Sequence, residues 1–158
     1  LEVLSAAEQQ GKTITAAAPG QTFTYGQAKV SIVGPVQEYN DLNSNSVVAK
    51  FSYGDTSFLF GGDMEAQAEQ DLLESDANVK STVLKLSHHG SNTSNSQDFL
   101  DAVQASDYVI CVGSGNSYGH PHQEILDRIA GKSVYRTDLN GTIVFHSDGA
   151  NLTVTTER

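Results

Sequence analysis

After residue 10, apolar and polar residues alternate with a period of about two in the first part of this chain of 158 residues. Short apolar runs end at glycine or proline, which is typical of consecutive strands joined by turns. The pattern predicts a helix over residues 1–10, followed by strands over 23–25, 28–33, 47–53 and 57–60. A polar loop over 40–46 separates the two pairs of strands and is long enough to carry function.

After residue 63 the apolar spacing changes to about four. Met64, Ala68 and Leu72 recur at this spacing and predict an amphipathic helix. Ser96 and Pro121 stand where a helix N-cap and a first-turn residue are expected, so two more helices are predicted. Strands are predicted over 82–86, 108–112, 133–136, 142–146 and 151–155. This order of strands and helices predicts an α/β domain in which helices pack on a sheet.

Length and charge limit the classes of protein. A chain of this length forms one domain that buries roughly two-thirds of the surface its unfolded form exposes, so we expect residues 1–158 to form a single region. The chain has 9 basic and 19 acidic residues and a net charge of −10. It therefore lacks a broad cationic field for nucleic acid or anionic lipid, and an anionic substrate must be met locally.

The apolar content, the first residues and the single cysteine further limit the class of protein. No apolar stretch approaches the ~20 residues of a membrane span, and the first ten residues lack the regions of a signal peptide. We therefore expect a soluble chain with no membrane insertion by this segment. Because the chain opens on Leu1 instead of methionine, we expect a mature or excised piece of a longer protein. Cys111 excludes an internal disulfide framework, and its apolar strand predicts a buried, inert thiol.

Three polar clusters follow predicted strands, where α/β proteins tend to place their sites. Asp63 is either a functional carboxylate or the N-cap of the next helix. His88 and His89 are adjacent, so in extended chain one could ligate a metal while the other meets substrate; the alternative is a pair of surface histidines. His120 enters a helix N-terminus, where free N–H groups favour an anion such as phosphate, or it caps or packs that helix.

Together these side chains offer the oxygen and nitrogen donors that hold Zn²⁺ or Mn²⁺. His120 and His122 form only a weak match to a metal-binding pair, because a proline separates them and no acid accompanies them. Spacing alone leaves open whether the clusters meet.

Several motifs occur in one order along the chain: Asn45-Ser46-Val47-Val48, Phe60-Gly61-Gly62-Asp63, Leu84-Lys85-Leu86-Ser87-His88-His89-Gly90-Ser91, Asn116-Ser117-Tyr118-Gly119-His120-Pro121 and Tyr135-Arg136-Thr137-Asp138. This ordered set resembles the metallo-β-lactamase-fold hydrolases, specifically the C-terminal domain of ComEC-type competence proteins and their secreted relatives. The resemblance runs from about residue 1 to residue 156. It implies a four-layer αββα sandwich with a two-metal site between two halves.

The resemblance also implies roles for single residues. Asp63 is similar to the carboxylate that bridges both metals, and His89 to a ligand of one of them. His88 is similar to an alternate ligand or substrate contact, and His120 to the family's late histidine near the site. The resemblance places Asn45 and Ser91 in the lining of the site, where they would bind substrate.

One motif of that family is missing. Its main ligand motif, His-x-His-x-Asp-His, occurs nowhere in this chain, which therefore resembles the second half of the sandwich: a mixed sheet with helices packed on one face. Such a half leaves the apolar inner face of its sheet in water and supplies too few ligands, since a catalytic zinc takes three protein ligands. We expect the missing N-terminal half to come from the same protein or from another chain.

The resemblance implies a metal-dependent hydrolase that acts on a phosphodiester with two Zn²⁺ or Mn²⁺ ions, incomplete in this chain alone. Asp63 and His120 would be catalytic, with Asp63, His89 and His88 as metal ligands. The competence relatives imply a nuclease for single-stranded DNA on the extracellular or cell-surface side, with small phosphodiesters as the alternative substrate. The rival hypotheses are a non-catalytic binding or assembly module and a β-lactam hydrolase.

Overall fold

The computed structural model describes residues 2–158 and centres on one seven-stranded sheet. Its strand order in space is the order in the chain, from β1 to β7. The strands are β1 (Thr22–Tyr25), β2 (Ala28–Gly34), β3 (Val48–Tyr53), β4 (Thr56–Phe60), β5 (Val83–Lys85), β6 (Asp107–Ile110) and β7 (Ser133–Arg136). Strands β1 to β4 pair antiparallel, and β4 to β7 pair parallel. The sheet is therefore mixed, as the sequence predicts.

Helices connect the parallel strands, because a parallel pair needs a crossover. The helices are α1 (Glu2–Gln9), α2 (Ala66–Glu74), α3 (Gln97–Val103), α4 (Gln123–Arg128) and α5 (Thr137–Asn140). Helices α2, α3 and α4 are the three crossovers between β4 and β7. Ser96 caps α3 as predicted, since its hydroxyl accepts a hydrogen bond from the Phe99 N–H at 3.3 Å.

The core lies between one face of the sheet and these crossover helices. The largest buried side chains on the sheet and helices form one cluster that includes Leu59, Leu84, Ile110, Leu72, Phe99 and Ile125. Burying each such side chain contributes about 1.5–3 kcal/mol, so this face accounts for most of the apolar stabilisation. The prediction of an α/β fold is confirmed.

The opposite face of the sheet is only partly covered. A separate hairpin of β8 (Ile143–Ser147) and β9 (Leu152–Thr156) lies against it. Phe145 of the hairpin packs edge-on against Phe58 at 5.8 Å and against Tyr135 at 5.5 Å between ring centroids. Beyond the hairpin, three phenylalanine side chains stay exposed to 54%, 43% and 40%: Phe23, Phe51 and Phe60. We call these three residues the open face.

The predicted elements are found, with several boundary differences. The helix predicted from Met64 begins at Ala66, because Met64 is a buried loop residue whose N–H closes a turn onto the Gly61 carbonyl at 3.2 Å. The strand predicted over 108–112 ends at Ile110, which leaves Cys111 half-buried, so the prediction of a buried thiol is wrong. The predicted helix over 1–10 is found as α1, and Leu1 lies outside the described residues.

Two features were not predicted. Helix α5 follows β7 without any apolar periodicity, and the hydroxyl of Thr137 holds it to the segment just after β6 by accepting from the Val112 N–H at 2.7 Å. A 3₁₀ turn covers Ser87–Gly90, within a segment predicted as a polar loop.

Within residues 2–158, no helix combines the length and the apolar character that crossing a membrane requires.

Candidate functional site

The three polar clusters meet at one edge of the sheet. Asp63 follows β4, His88 and His89 follow β5, and the loop with His120 follows β6. These strands are parallel neighbours, so their carboxyl ends share an edge, which is where ligands of open α/β sheets bind. The fold therefore brings together side chains that lie up to 57 positions apart in the sequence.

Asp63 and His89 face each other at the centre of this edge. Oδ1 of Asp63 lies 3.6 Å from Nε2 of His89. Nδ1 of His89 lies 2.6 Å from the main-chain oxygen of Cys111. A carbonyl oxygen only accepts, so Nδ1 carries the proton, and Nε2 of a neutral ring presents its lone pair to the carboxylate.

Two acceptors that face each other in this way favour a cation between them. Two zinc ligands at about 2.0–2.1 Å from the ion and at the tetrahedral angle lie about 3.4 Å apart, close to the separation of Asp63 and His89. The hydrogen bond from Nδ1 to a carbonyl is the arrangement that orients metal-binding histidines. The donor pair therefore fits two positions of a zinc or manganese shell. Among residues 2–158, no three acidic, histidine or cysteine side chains come close enough to form a metal-binding group.

His88 belongs to a second group beside this pair. Its Nδ1 lies 3.6 Å from Oε1 of Glu65 and 3.3 Å from the hydroxyl of Thr93. The side chain amide of Asn43 donates to the same Glu65 oxygen at 3.1 Å. The ring of His88 also lies edge-on to His120, with 5.6 Å between centroids. The two adjacent histidines therefore contact different neighbours, and the division into a metal ligand and a substrate contact stays a prediction.

The reason that the two rings contact different neighbours differs from the predicted one. His88 and His89 are not in extended chain; both have left-handed backbone angles, with φ of 49° and 55°. Their rings are 6.4 Å apart at 66°. Residues with a Cβ rarely adopt this conformation, so the separation of the two rings comes from an unusual turn instead of strand alternation.

His120 lies at the mouth of the site and is held from both sides. Its ring stacks on Tyr118 at 5.8 Å and meets His122 edge-on at 4.9 Å. The amide of Asn116 accepts from the His120 N–H at 3.1 Å and donates to its carbonyl at 2.7 Å. Burial, followed by the neighbouring His122 and His88, lowers the pKa of His120. The ring is therefore neutral at pH 7 and able to accept a proton or bind a metal.

Lys85 places a positive charge beneath the Asp63 loop. Its ammonium donates to the Leu86 carbonyl at 3.0 Å and reaches the Gly62 carbonyl at 3.5 Å. Burial lowers the pKa of Lys85, while the charges of Cys111 and Asp63 raise it. Lys85 and Cys111 also line an apolar cavity of about 300 Å³ between the sheet and the β8–β9 hairpin.

The remaining predicted residues are engaged within their own loops. The Asn45 amide accepts from the Tyr39 N–H at 3.0 Å and donates to the carbonyls of Tyr39 and Asp41 at 2.7 and 2.6 Å. The hydroxyl of Ser91 is buried and contacts that of Thr93 at 3.1 Å. Their predicted place in the lining of the site stays a prediction.

The structure also settles two local alternatives. Glu65, not Asp63, occupies the N-cap position of α2, so the capping role for Asp63 is wrong. Pro121 precedes α4 by two positions and is not in its first turn; His122 is the N-cap residue there.

Sequence reasoning missed Glu65 and discounted His122. Glu65 stands two positions after Asp63, and this pair of acids after a buried strand was the available signal. His122 is fixed because its Nδ1 accepts from the Asn92 N–H at 2.9 Å, which spacing does not show.

Comparison with known proteins places this mixed α/β chain among relatives of competence proteins. No family model matches the chain. It is 33% identical over 147 residues to ComE operon protein 3 of Bacillus subtilis, which covers 91% of this chain and 19% of that protein. It is 38% identical over 108 residues to competence protein ComA of Neisseria gonorrhoeae, covering 66% of this chain and 16% of that protein.

A third relative is recombination protein 2 of Haemophilus influenzae, 34% identical over 87 residues, which covers 55% of this chain and 11% of that protein. The chain is therefore related to competence proteins and spans about a fifth or less of the length of these relatives.

Proposed function

We propose that this chain is the second half of a metallo-β-lactamase-like, metal-dependent phosphodiesterase that acts in DNA uptake. The observation that carries the proposal is the pair of Asp63 and His89, whose acceptor atoms face each other at 3.6 Å. The relationship to competence proteins supports the connection with DNA uptake. It also supports a site of action outside the cytoplasm, at the cell surface.

The residues of this chain would divide the work at the site. Asp63 and His89 hold the metal, with the Cys111 carbonyl fixing the ring of His89. His88 is the alternate ligand, and it is paired with Glu65. Two Zn²⁺ or Mn²⁺ ions, if held by these residues together with ligands from the missing half, would supply an activated water and would stabilise the charge that develops on the phosphoryl oxygens.

His120 is the proton carrier in this proposal. Burial lowers its pKa, so the neutral ring can accept a proton from the attacking water and then donate that proton to the bridging oxygen of the phosphodiester as its bond to phosphorus breaks. Tyr118 and Asn116 fix its ring and backbone from two sides. A phosphodiester substrate, with single-stranded DNA as the leading example, is met by these local groups because the chain carries a net charge of −10.

The site requires a partner half. Asp63 and His89 supply two ligands, whereas a catalytic zinc takes three from protein. The open face, with Phe51 exposed to 43% and Phe60 to 40%, lies beside the same loop, because Phe60 is three residues before Asp63. A second sheet packed on the open face would bury these rings and bring the missing ligands to the metal.

The test is metal-dependent hydrolysis by the full-length protein. With Mn²⁺, the wild type should cleave bis(p-nitrophenyl) phosphate and a single-stranded oligonucleotide. Asp63→Asn should reduce both activities at least about 100-fold, because it weakens metal binding and the charge at the site. Asp98→Asn, on the exposed side of α3, is the matched control and should leave both unchanged. Full activity of Asp63→Asn would reject the proposal.

A further inference from the structure

The turn that carries His88 and His89 is strained. Both residues have left-handed backbone angles, φ 49° with ψ 42° and φ 55° with ψ 25°. Two consecutive side-chain-bearing residues in this region persist only where the surrounding structure determines them. The turn is therefore held by contacts outside itself.

The His88 N–H donates to the Gly62 carbonyl at 3.0 Å and the Gly90 carbonyl accepts from the His122 N–H at 3.0 Å, and the side chain of Asn95 makes the remaining hydrogen bonds across the turn. Its side chain Oδ1 accepts from the Ser87 N–H at 2.9 Å, and its Nδ2 donates to the Ser87 carbonyl at 2.9 Å. The same Nδ2 reaches the Ser91 carbonyl at 3.4 Å. One fully buried amide thus joins the residue before the two histidines to the residue after Gly90.

Asn95 is in turn fixed by two charged residues from separate helices. Oε1 of Glu69, on α2, accepts from the Asn95 N–H at 2.5 Å, and Oε2 accepts from the Ser96 N–H at 2.8 Å. Arg128 of α4 donates from Nη1 to the Asn95 carbonyl at 2.8 Å. Glu69 is fully buried; burial raises the pKa of its carboxyl, and these two backbone donors offset that effect only in part.

The candidate site itself leaves Glu69 and Asn95 without a role. Neither side chain contacts Asp63, His89 or His120 in the hydrogen bonds of residues 2–158. Burying a carboxyl group costs free energy that hydrogen bonds must offset, and the two bonds that Glu69 accepts come from Asn95, which spans the histidine turn, and from Ser96. The route runs from Glu69 to Asn95, and from Asn95 through Ser87 to the two histidines.

We propose that Asn95 and Glu69 are positioning residues that hold the His88–His89 turn in the conformation that directs His89 at Asp63. The inference rests on the proposed function only in taking His89 as a metal ligand. The positioning itself is a property of the free chain, because the proton on Nδ1 of His89 and its bond to the Cys111 carbonyl require the turn to be held.

The test uses the metal-free chain and ¹⁵N NMR of the histidine rings at pH 8. In the wild type, His89 should show a single tautomer with Nδ1 protonated. Asn95→Gly keeps a residue that tolerates the left-handed conformation observed at φ 60° but removes the amide. This variant should fold, and its His89 should show averaged tautomers because the bond to Cys111 is lost for part of the time.

Val103→Ala is the matched control. Val103 is fully buried at the other end of α3, so its truncation lowers the melting temperature without touching the turn. The His89 tautomer should be unchanged in this variant. A folded Asn95→Gly chain with the wild-type tautomer would overturn the proposal.

A second variant covers the case in which Asn95→Gly does not fold. Glu69→Gln keeps the size of the side chain but turns one acceptor into a donor against a backbone N–H, so it should loosen Asn95 and shift the tautomer in the same direction. An unshifted His89 in folded Glu69→Gln would also overturn the proposal.

Mn²⁺ affinity separates this inference from the proposed function. If the wild-type chain binds Mn²⁺, Asn95→Gly should bind it about 10-fold more weakly, as is typical for residues that orient metal ligands. If the full-length protein, in which the proposed second half completes the site, binds no Mn²⁺ at any concentration tested, the proposed function fails, while the tautomer comparison still decides the positioning role.

Discussion

Nε2 of His89 lies 3.6 Å from Oδ1 of Asp63, with the opposite ring nitrogen bonded to the Cys111 carbonyl at 2.6 Å. The hydrogen bond to Cys111 determines how His89 can interact with Asp63. It places the single proton of a neutral ring on Nδ1, so Nε2, which faces Asp63, carries none. What remains between the two residues is a pair of acceptors suited to a cation.

Replacing His89 therefore tests whether this side chain contributes to metal binding together with Asp63. We expect His89→Gln to weaken binding of Zn²⁺ or Mn²⁺ by about 10–100-fold. The amide is a poorer metal ligand than the imidazole, and the variant lacks the hydrogen bond to Cys111 that orients the histidine ring. His146→Gln, on the exposed side of β8, is the matched control. Calorimetric titration of both variants measures the effect, and equal affinities would contradict the assignment of His89.

Gly62 sets the approach of Asp63 to the site. It has φ +60°, and a Cβ there would lie 2.6 Å from Cβ of Ser46, whose hydroxyl accepts from the Asp63 N–H at 3.0 Å. We expect Gly62→Ala to lower the free energy of unfolding by about 2–4 kcal/mol, from backbone strain and the clash together.

Gly26→Ala separates the two causes. Gly26 has φ +57° but nothing within 4 Å of an added Cβ, so this variant should cost only the strain, about 1 kcal/mol. Urea unfolding of both variants gives the comparison. Equal costs would show that the contact with Ser46 does not matter.

The Tyr39–Asp71 contact predicts a change in stability at high pH. The Tyr39 hydroxyl donates to Oδ2 of Asp71 at 2.9 Å, and burial together with this carboxylate raises the pKa of Tyr39 to about 12. Since the folded pKa lies above the ordinary value of 10.0, the contribution is fully present below pH 10 and is lost as pH rises through about 12.

Tyr39→Phe should therefore flatten the pH dependence of unfolding between pH 10 and 12. The matched control is Tyr25→Phe, which removes a phenol that is 85% exposed at the edge of the sheet. Urea unfolding at a series of pH values measures the slope. The same slope in Tyr39→Phe and the wild type would contradict this assignment.

Because of the open face, Phe51→Ala should lower the free energy of unfolding by different amounts in this chain alone and in the full-length protein. In this chain alone, Phe51→Ala should change the free energy of unfolding by less than about 1 kcal/mol, because the ring is 43% exposed and packs mainly on Phe60 at 5.4 Å. In the full-length protein, where the proposed second half covers it, the cost should rise to about 2–4 kcal/mol.

Phe99→Ala is the control for this comparison, because Phe99 is fully buried in the helical core and should cost about 3–5 kcal/mol in both contexts. Unfolding by urea with both forms of the protein provides the measurement. A cost for Phe51→Ala that is equally small in both would show that nothing packs on the open face.

The sequence pattern predicts the structural features that depend on residues close together in the chain. The strands and the Ser96 cap follow from short-range pattern, and the position of Asp63 and His89 just after predicted strands follows as well, whereas spacing leaves open whether the two residues meet. The left-handed turn at His88 and His89 does not follow from the pattern, because it depends on Asn95 and Glu69, whose contacts span 8 and 26 positions.

Glu69 is the clearest example of a residue whose environment the sequence pattern does not predict. It lies off the apolar stripe of α2, where a charged residue is expected to face water, yet it is fully buried because two backbone N–H groups of the 95–96 segment bind it. The tautomer of His89 has the same origin, since it depends on a carbonyl 22 positions away. Hydrophobic period carries no information on such contacts.

The most direct test of the account is metal content, measured by plasma mass spectrometry on the full-length protein after dialysis with Mn²⁺ and, separately, with Zn²⁺. We expect close to two metal ions per molecule in the wild type and in Asp98→Asn, and fewer than one in Asp63→Asn, because this substitution removes a carboxylate that is proposed to hold the metal. The same metal content in Asp63→Asn as in the wild type would contradict the account.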